Sequence, residues 1–286
     1  MNKLLFIGGS GMLGKPVAKE LIKAGTSVTL FARDVNRMKQ LFPRVDIVKG
    51  DVMDKASLEK TFAGHDTVYL NLSVLQSSKK NEPQPEREGL KNIIEAAQSA
   101  GIKRIGYLSS LIKNYQGMNG FSWWSFEIKN NAVSMIRSSG IPYSIFYAST
   151  FMETIDHQMM QGNKIFLVGR SKAAMWFIAA EDYGRQVVKA FQIAGTVNQE
   201  YIIQGTDAYT FDEAAKVFKD HYKSPLKIMK APIAVVKFLG MFVQKINYGY
   251  NICEALNNYP EKFESEKTRA DLGKPSISLA QYTSSL

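Results

Sequence analysis

Three glycines, Gly8, Gly11 and Gly14, recur every third residue in FIGGSGMLG, residues 6–14. Placed where a strand turns into a helix, this spacing serves phosphate. The first glycine permits a tight bend and the second lets the main chain approach a diphosphate closely. The third lets the helix lie against the sheet. The amides of Ser10, Gly11, Met12 and Leu13, in the loop that Gly8 and Gly9 open, then face the anion at the positive end of a helix. A second charged group follows in FARD, residues 31–34, with Arg37 one helical turn further on. An acidic residue ending that strand would bond a ribose 2′-hydroxyl. Arg33 there, backed by Arg37, suits a 2′-phosphate. Asp34 would repel that phosphate if it pointed inward, or cap the next helix instead. The chemistry implied is dinucleotide binding, with NADP(H) preferred over NAD(H).

Such a loop needs a strand before it and a helix behind it, and the chain supplies both. KLLFIG (3–8) is an apolar run ending in glycine. Residues 12–25 then have helical spacing, with Leu13, Val17, Leu21 and Ile22 on one face. Strand-like runs recur at 27–33, 45–51, 66–73, 102–110 and 141–149. Helical segments separate them at 35–42, 56–64, 89–101 and 123–140. Near-continuous apolar strands alternating with helices predict an α/β fold, a doubly wound parallel sheet covered on both faces. The pattern predicts a binding core over 1–155. Residues 156–286 partly complete that core and partly form a small C-terminal α+β lobe on the substrate side. In this part, strands are expected at 164–168, 173–180 and 200–205. Helices are expected at 181–195 and 210–222, the latter opening on a Thr210–Glu213 capping box. The apolar remainder reads as helical to about residue 260, with one long helix over 228–246.

The glycine spacing, with GDVMD after the third strand and YLSS ending the fifth, resembles the extended and atypical short-chain dehydrogenase/reductases. Within them it is most similar to the NmrA-like, NAD(P)H-binding branch. The resemblance is good over 3–155 and weaker to the C-terminus, through EKFESEKTRADLGKPSISLAQY. It implies that Asp51 and Val52 edge the adenine. It also implies that Asn71, Leu72 and Ser73 line the path to the nicotinamide. A Ser–Tyr–Lys constellation is usual in the superfamily. Ser109 or Ser110 matches its serine and Lys129 its lysine, but Ser125 stands where the tyrosine is expected, four residues before Lys129. Lys129 is then left to hold ribose hydroxyls, and a tyrosine acid is missing. Tyr147 and Ala148 replace the frequent Arg-Pro pair. The segment Tyr147, Ala148, Ser149, Thr150, Phe151 is still expected to close over the nicotinamide.

These departures leave three functions open. One is an NADPH-dependent oxidoreductase whose acceptor needs little proton donation, such as a quinone or conjugated carbonyl. The second is a non-catalytic NADP(H) sensor acting through a protein partner. The third is an assembly subunit that keeps nucleotide for stability. Met118, Phe121, Trp123 and Trp124 are candidates to stack on a flat acceptor.

The 286 residues carry a net charge of +10, which favours anionic partners, but no basic run exceeds two residues, which argues against nucleic acid. One cysteine, Cys253, excludes an internal disulfide and suits a reducing compartment. Three histidines and no CxxC argue against a zinc site. With strand-like sequence from Lys3 and no spanning segment, the expected location is cytoplasmic. For the apolar stretch 228–246 the readings are lobe packing, a homodimer surface or a peripheral membrane contact.

Overall fold

The computed structural model describes residues 3–286; Met1 and Asn2, the first two of the expected 1–155 unit, lie outside the described residues. The first half alternates β1 (Lys3–Ile7), α1 (Gly14–Lys23), β2 (Ser27–Ala32), α2 (Val35–Leu41), β3 (Asp46–Lys49), α3 (Lys55–Phe62) and β4 (Thr67–Leu70). It continues with α4 (Leu90–Ser99), β5 (Arg104–Ser110), α5 (Trp124–Arg137) and β6 (Tyr143–Ala148). The remainder begins with β7 (Met160–Gln161), β8 (Lys164–Val168), β9 (Met175–Trp176), α6 (Ala180–Ile193), β10 (Gln199–Ile203) and β11 (Ala208–Tyr209). It ends with α7 (Phe211–His221), β12 (Lys227–Ala231), α8 (Ile233–Gly240), α9 (Gln244–Asn258), α10 (Glu266–Leu272) and α11 (Leu279–Ser284).

Seven strands form one parallel sheet in the order β10-β6-β5-β4-β1-β2-β3. This is the doubly wound Rossmann arrangement. Its strand order reverses between β1 and β4, so the crevice at their carboxyl ends is where a ligand binds in such sheets. Side chains alternate in period two. Leu4 and Phe6 face α1 and α6, packed with Val17, Leu21, Tyr183 and Val187. Leu5 and Ile7 face α3, α4 and α5, packed with Leu58, Ile93, Val133 and Ile136. Both faces are dry, which explains why these strands read as unbroken apolar runs.

Local signals fix the helix ends. The Asp34 carboxylate accepts from the Arg37 N–H at 2.9 Å, so it caps α2. Thr210 and Glu213 form the capping box of α7. The first turn of α6 draws on a distant residue: buried Glu153 accepts from the Ala180 N–H at 2.9 Å. Burial pushes the Glu153 carboxyl up to about 7.

The lobe differs from expectation in two places. The strand expected over 173–180 is reduced to β9 and a single parallel bridge from Ile178 to Phe151, and α6 already begins at Ala180, with Glu181 and Asp182 suiting its positive end. The long helix expected over 228–246 is three elements. Residues 227–231 pair in parallel with β8 as β12. Pro232 then opens α8, and the chain turns after Gly240 into α9. A Cβ on Gly240 would lie 3.0 Å from the Asn247 backbone, so the close approach of α8 to α9 needs glycine there. β8 joins β7 and β12 in a three-stranded sheet. Its core, with Phe177, Phe211, Phe218 and Leu279, is separate from that of the large sheet.

Candidate functional site

Gly8 ends β1 at φ +94°, a conformation that side chains disfavour. A Cβ there would also stand 2.2 Å from the Asn71 carbonyl at the end of β4. Gly14 is equally constrained, since its Cβ would fall 2.1 Å from the Gly8 carbonyl. Gly11 is different. It is exposed, and a Cβ there would meet only the Gly8 carbonyl at 3.7 Å. Two glycines are thus required by the fold, and the third holds open a face of main chain. No side chain caps α1, and its first turn has no carboxylate. The Gly11 N–H donates to the Gly8 carbonyl at 3.4 Å, while the N–H groups of Ser10, Met12 and Leu13 have no partner among the described residues, so the positive end of α1 is open.

Arg33 and Arg37 are exposed beyond β2, and neither is in an ion pair among the described residues. With Asp34 turned to its capping role, no carboxylate from this turn opposes a phosphate beside them. Asp51 and Val52 form the turn after β3. The Asp51 carboxylate accepts from the Met53 N–H at 3.0 Å, and the Val52 carbonyl accepts from Asn92 at 3.1 Å. Asn71, half-buried, hangs on the Ile7 carbonyl through its N–H at 3.0 Å, and Leu72 is buried beside exposed Ser73.

Lys129 lies on the inner face of α5, one turn from buried Ser125. Its ammonium donates to the Leu72 carbonyl at 3.3 Å and to the carboxylate of Glu86. Sequence reasoning missed Glu86. It sits in a short π-helical turn, Pro85–Gly89, that leads into α4, and it is 1 % exposed. The Tyr107 hydroxyl donates to the same carboxylate oxygen at 2.6 Å. Burial raises the Glu86 carboxyl above its ordinary range, and the Lys129 charge works against that rise. The buried Tyr107 phenol, with Glu86 beside it, is held well above the usual phenol range. Tyr248 of α9 also feels this group: burial and Glu86 push its phenol up to about 12. The available signal for Glu86 was Pro85, which suits the first turn of a helix and would have put Glu86 on it.

Ser109 is on the same face of β5 as Tyr107. It is 2 % exposed and its Oγ has no hydrogen-bond partner among the described residues. The Tyr147 hydroxyl donates to Glu200 at 3.0 Å and accepts from Arg137 at 3.2 Å, within an ion pair on the outer side of α5. Ala148 is buried opposite Ser110, and the Ser149 hydroxyl donates to Glu261 at 2.8 Å. The Phe151 ring packs edge-on to Tyr183 at 5.5 Å. These side chains are engaged in packing and hydrogen bonds within the protein, and the Ser149 N–H and the Thr150 and Phe151 carbonyls are bonded to the main chain of Ile203, Ile178 and Thr154.

The aromatic stretch before α5 is largely internal. Trp123 is buried between Phe126 at 5.0 Å and Tyr248 at 4.9 Å, and Phe121 packs on Tyr115 at 4.9 Å. Only Met118, 40 % exposed, is left free of that cluster. Cys253 is half-buried, and burial pushes its thiol up to about 11, which disfavours the reactive thiolate. Among the described residues no acid, histidine or cysteine cluster could hold a metal.

The fold and site define a doubly wound α/β protein with an open, glycine-lined turn at its switch point. The chain belongs to the NmrA-like family, whose model matches residues 1–277. Among curated relatives it is 22 % identical to photosystem II assembly factor Ycf39 of Synechocystis sp., over 89 % of this chain and 78 % of that protein. It is 23 % identical to eugenol synthase 2 of Clarkia breweri, over 91 % of this chain and 94 % of that one. Among solved structures, the fold is shared with NADPH-dependent quinone oxidoreductase QOR2 of Escherichia coli, complexed with NADPH. That match has a TM-score of 0.73 and 19 % identity, over 99 % of each chain. The triphenylmethane reductase of Citrobacter sp., complexed with NADP(H), has a TM-score of 0.74 and 17 % identity, over 99 % of each chain.

Proposed function

We propose that this chain binds NADP(H) and reduces a flat, hydrophobic conjugated acceptor of the quinone type. The observation that carries the reading is the uncapped start of α1 beneath Gly11, with unpaired Arg33 and Arg37 beyond the neighbouring strand. The residues present fit the nucleotide. The diphosphate lies over Gly11 on the free amides of Ser10, Met12 and Leu13, and Arg33 with Arg37 holds the 2′-phosphate. Asp51 and Val52 border the adenine. The unpartnered Ser109 hydroxyl and the Lys129 ammonium, the two catalytic candidates, face the nicotinamide end. When bound, the cofactor supplies the hydride. Lys129 is fixed by Glu86 and Leu72, so it positions ribose rather than moving a proton. Tyr107 is committed to Glu86 and is no acid for the acceptor. An acceptor whose reduced form is stabilised by conjugation, and which draws its proton from water, fits such a site. The reductases among the structural neighbours support this reading.

A second reading is a non-catalytic NADP(H) sensor or assembly protein. It is favoured by Ser125 at the position of the usual tyrosine and by the commitment of the Tyr107 phenol to Glu86. Stopped-flow oxidation of NADPH against quinones and aldehydes separates the two. Turnover with quinones well above the blank is expected. Oxidation at the blank rate with every acceptor, together with different affinities for NADP⁺ and NADPH, would establish the sensor instead.

Cofactor choice has its own test. Arg33→Ala is expected to weaken NADPH by about 1.5–3 kcal/mol, the range of a charge-assisted hydrogen bond, and to leave NADH nearly unchanged. Titration calorimetry of both nucleotides against both proteins reads this directly. Equal losses for the two would remove Arg33 from the 2′-phosphate.

A further inference from the structure

The largest apolar exposure on the molecule is confined to nine residues, 235–243, at the end of α8 and the turn into α9. Phe242 is 74 % exposed, Met241 66 %, Phe238 57 %, Val235 50 %, Val243 47 % and Leu239 45 %. The Phe238 and Phe242 rings stand side by side at 5.5 Å. Lobe packing, one of the readings of this stretch, does not account for side chains that touch so little of the lobe. Together they expose an area of several hundred Å², the upper end of what a monomer ordinarily carries.

Charge says what covers it. From Ile228 to Cys253 the chain has no aspartate or glutamate, and it has lysines at 230, 237 and 245. Lys230 is paired with Asp212. Lys237 lies over the Tyr250 ring at 5.7 Å, and neither it nor Lys245 is in an ion pair among the described residues. The patch is therefore an apolar tip with free ammonium groups at its border. We propose that it is a membrane-docking surface whose partner is an anionic lipid bilayer. Phenylalanine and methionine enter the acyl boundary, and the lysine stems run alongside with their charges at the headgroups. A second copy of this chain is a poorer occupant on two counts. A two-fold contact would bring two copies of the same basic segment together, with no carboxylate between Ile228 and Cys253 to offset them. The patch also falls short of the ~800 Å² per partner of a standard interface. No helix among the described residues is long and apolar enough to cross a membrane, so the contact is peripheral. This inference does not depend on the acceptor proposed above.

Co-sedimentation with vesicles tests it. The full chain is expected to pellet with vesicles of phosphatidylcholine mixed with phosphatidylglycerol, and to stay in solution with phosphatidylcholine alone. Met241→Ser with Phe242→Ser is expected to lower partitioning at least tenfold. Both residues are mostly exposed, so the melting temperature should hold. Lys237→Glu with Lys245→Glu keeps the apolar tip. It is expected to lower binding by more than tenfold, since each lysine contributes about fivefold at an anionic surface. No pelleting with either vesicle overturns the proposal. Equal binding to both removes the lysines from it and with them the anionic bilayer. A concentration-dependent dimer in light scattering that the serine variant returns to monomer would assign the patch to self-association and overturn the bilayer as well.

Discussion

Alanine at Gly8 is expected to abolish NADPH binding and to lower the melting temperature, whereas alanine at Gly11 is expected to weaken binding alone. The difference follows from what each methyl group would meet. At Gly8 it would stand 2.2 Å from the Asn71 carbonyl, on a backbone at φ +94°. The left-handed conformation costs a side-chain-bearing residue about 1–2 kcal/mol before any contact is counted. Relief of the contact must part β1 from β4 at the switch point, where the loop is anchored. A fall in affinity of at least a hundredfold, or about 2.7 kcal/mol, is the expected result. At Gly11 the nearest atom would be 3.7 Å away, so the fold has no quarrel with alanine. On the proposed reading, a methyl group there would occupy the space of the diphosphate. NADPH affinity should fall at least tenfold with an unchanged melting temperature. Calorimetric titration beside thermal unfolding of both variants checks the pair. Wild-type affinity in Gly11→Ala would mean that no phosphate lies over this loop.

The second large effect concerns the buried Glu86–Lys129 pair. Glu86→Ala leaves the ammonium of a lysine side chain only 17 % exposed without its counter-charge and removes the acceptor of Tyr107. Breaking a buried pair from one side typically costs 3–5 kcal/mol, and a loss of about 3 kcal/mol is expected here. Lys129→Met acts differently, because burial already raises the Glu86 carboxyl and loss of the ammonium raises it further. A carboxyl raised in the folded state favours folding below its ordinary pKa, and that contribution is lost as pH rises through the folded value. Lys129→Met should therefore be mildly destabilised near pH 5 and markedly so near pH 8, while Glu86→Ala should lack that added slope. Urea unfolding of both variants and the double variant at the two pH values gives the coupling. A coupling under about 1 kcal/mol, the level of an exposed pair, would show that the two groups do not act as one.

The proposed function and these two effects rest on different kinds of information. The glycine loop was legible because each part of it is local. An apolar run, three glycines and a helical period lie within residues 3–25, and each reports short-range geometry. The Asp34 and Thr210 caps were legible for the same reason, since a cap bonds a backbone group three residues away. Glu86 was not legible. Its partners are 21 residues ahead at Tyr107 and 43 ahead at Lys129, and one of three glutamates in a polar segment has no period to single it out. The stretch 228–246 misled for a related reason. Its apolar composition is that of a helix, but residues 227–231 lie in a sheet because β8, some sixty residues earlier, offers them an edge.

By itself, then, the sequence determined the alternation of strands and helices, the glycine turn after the first strand and the basic residues beyond the second strand. Those features are written in hydrogen-bonding and side-chain patterns a few residues long. Only the tertiary structure decided that Lys129 is held by a buried carboxylate, that the Trp123 cluster is packing, and that residues 235–243 stand out from the surface. Each of these depends on which distant segments meet, and burial is a property of the assembled neighbours rather than of the residue.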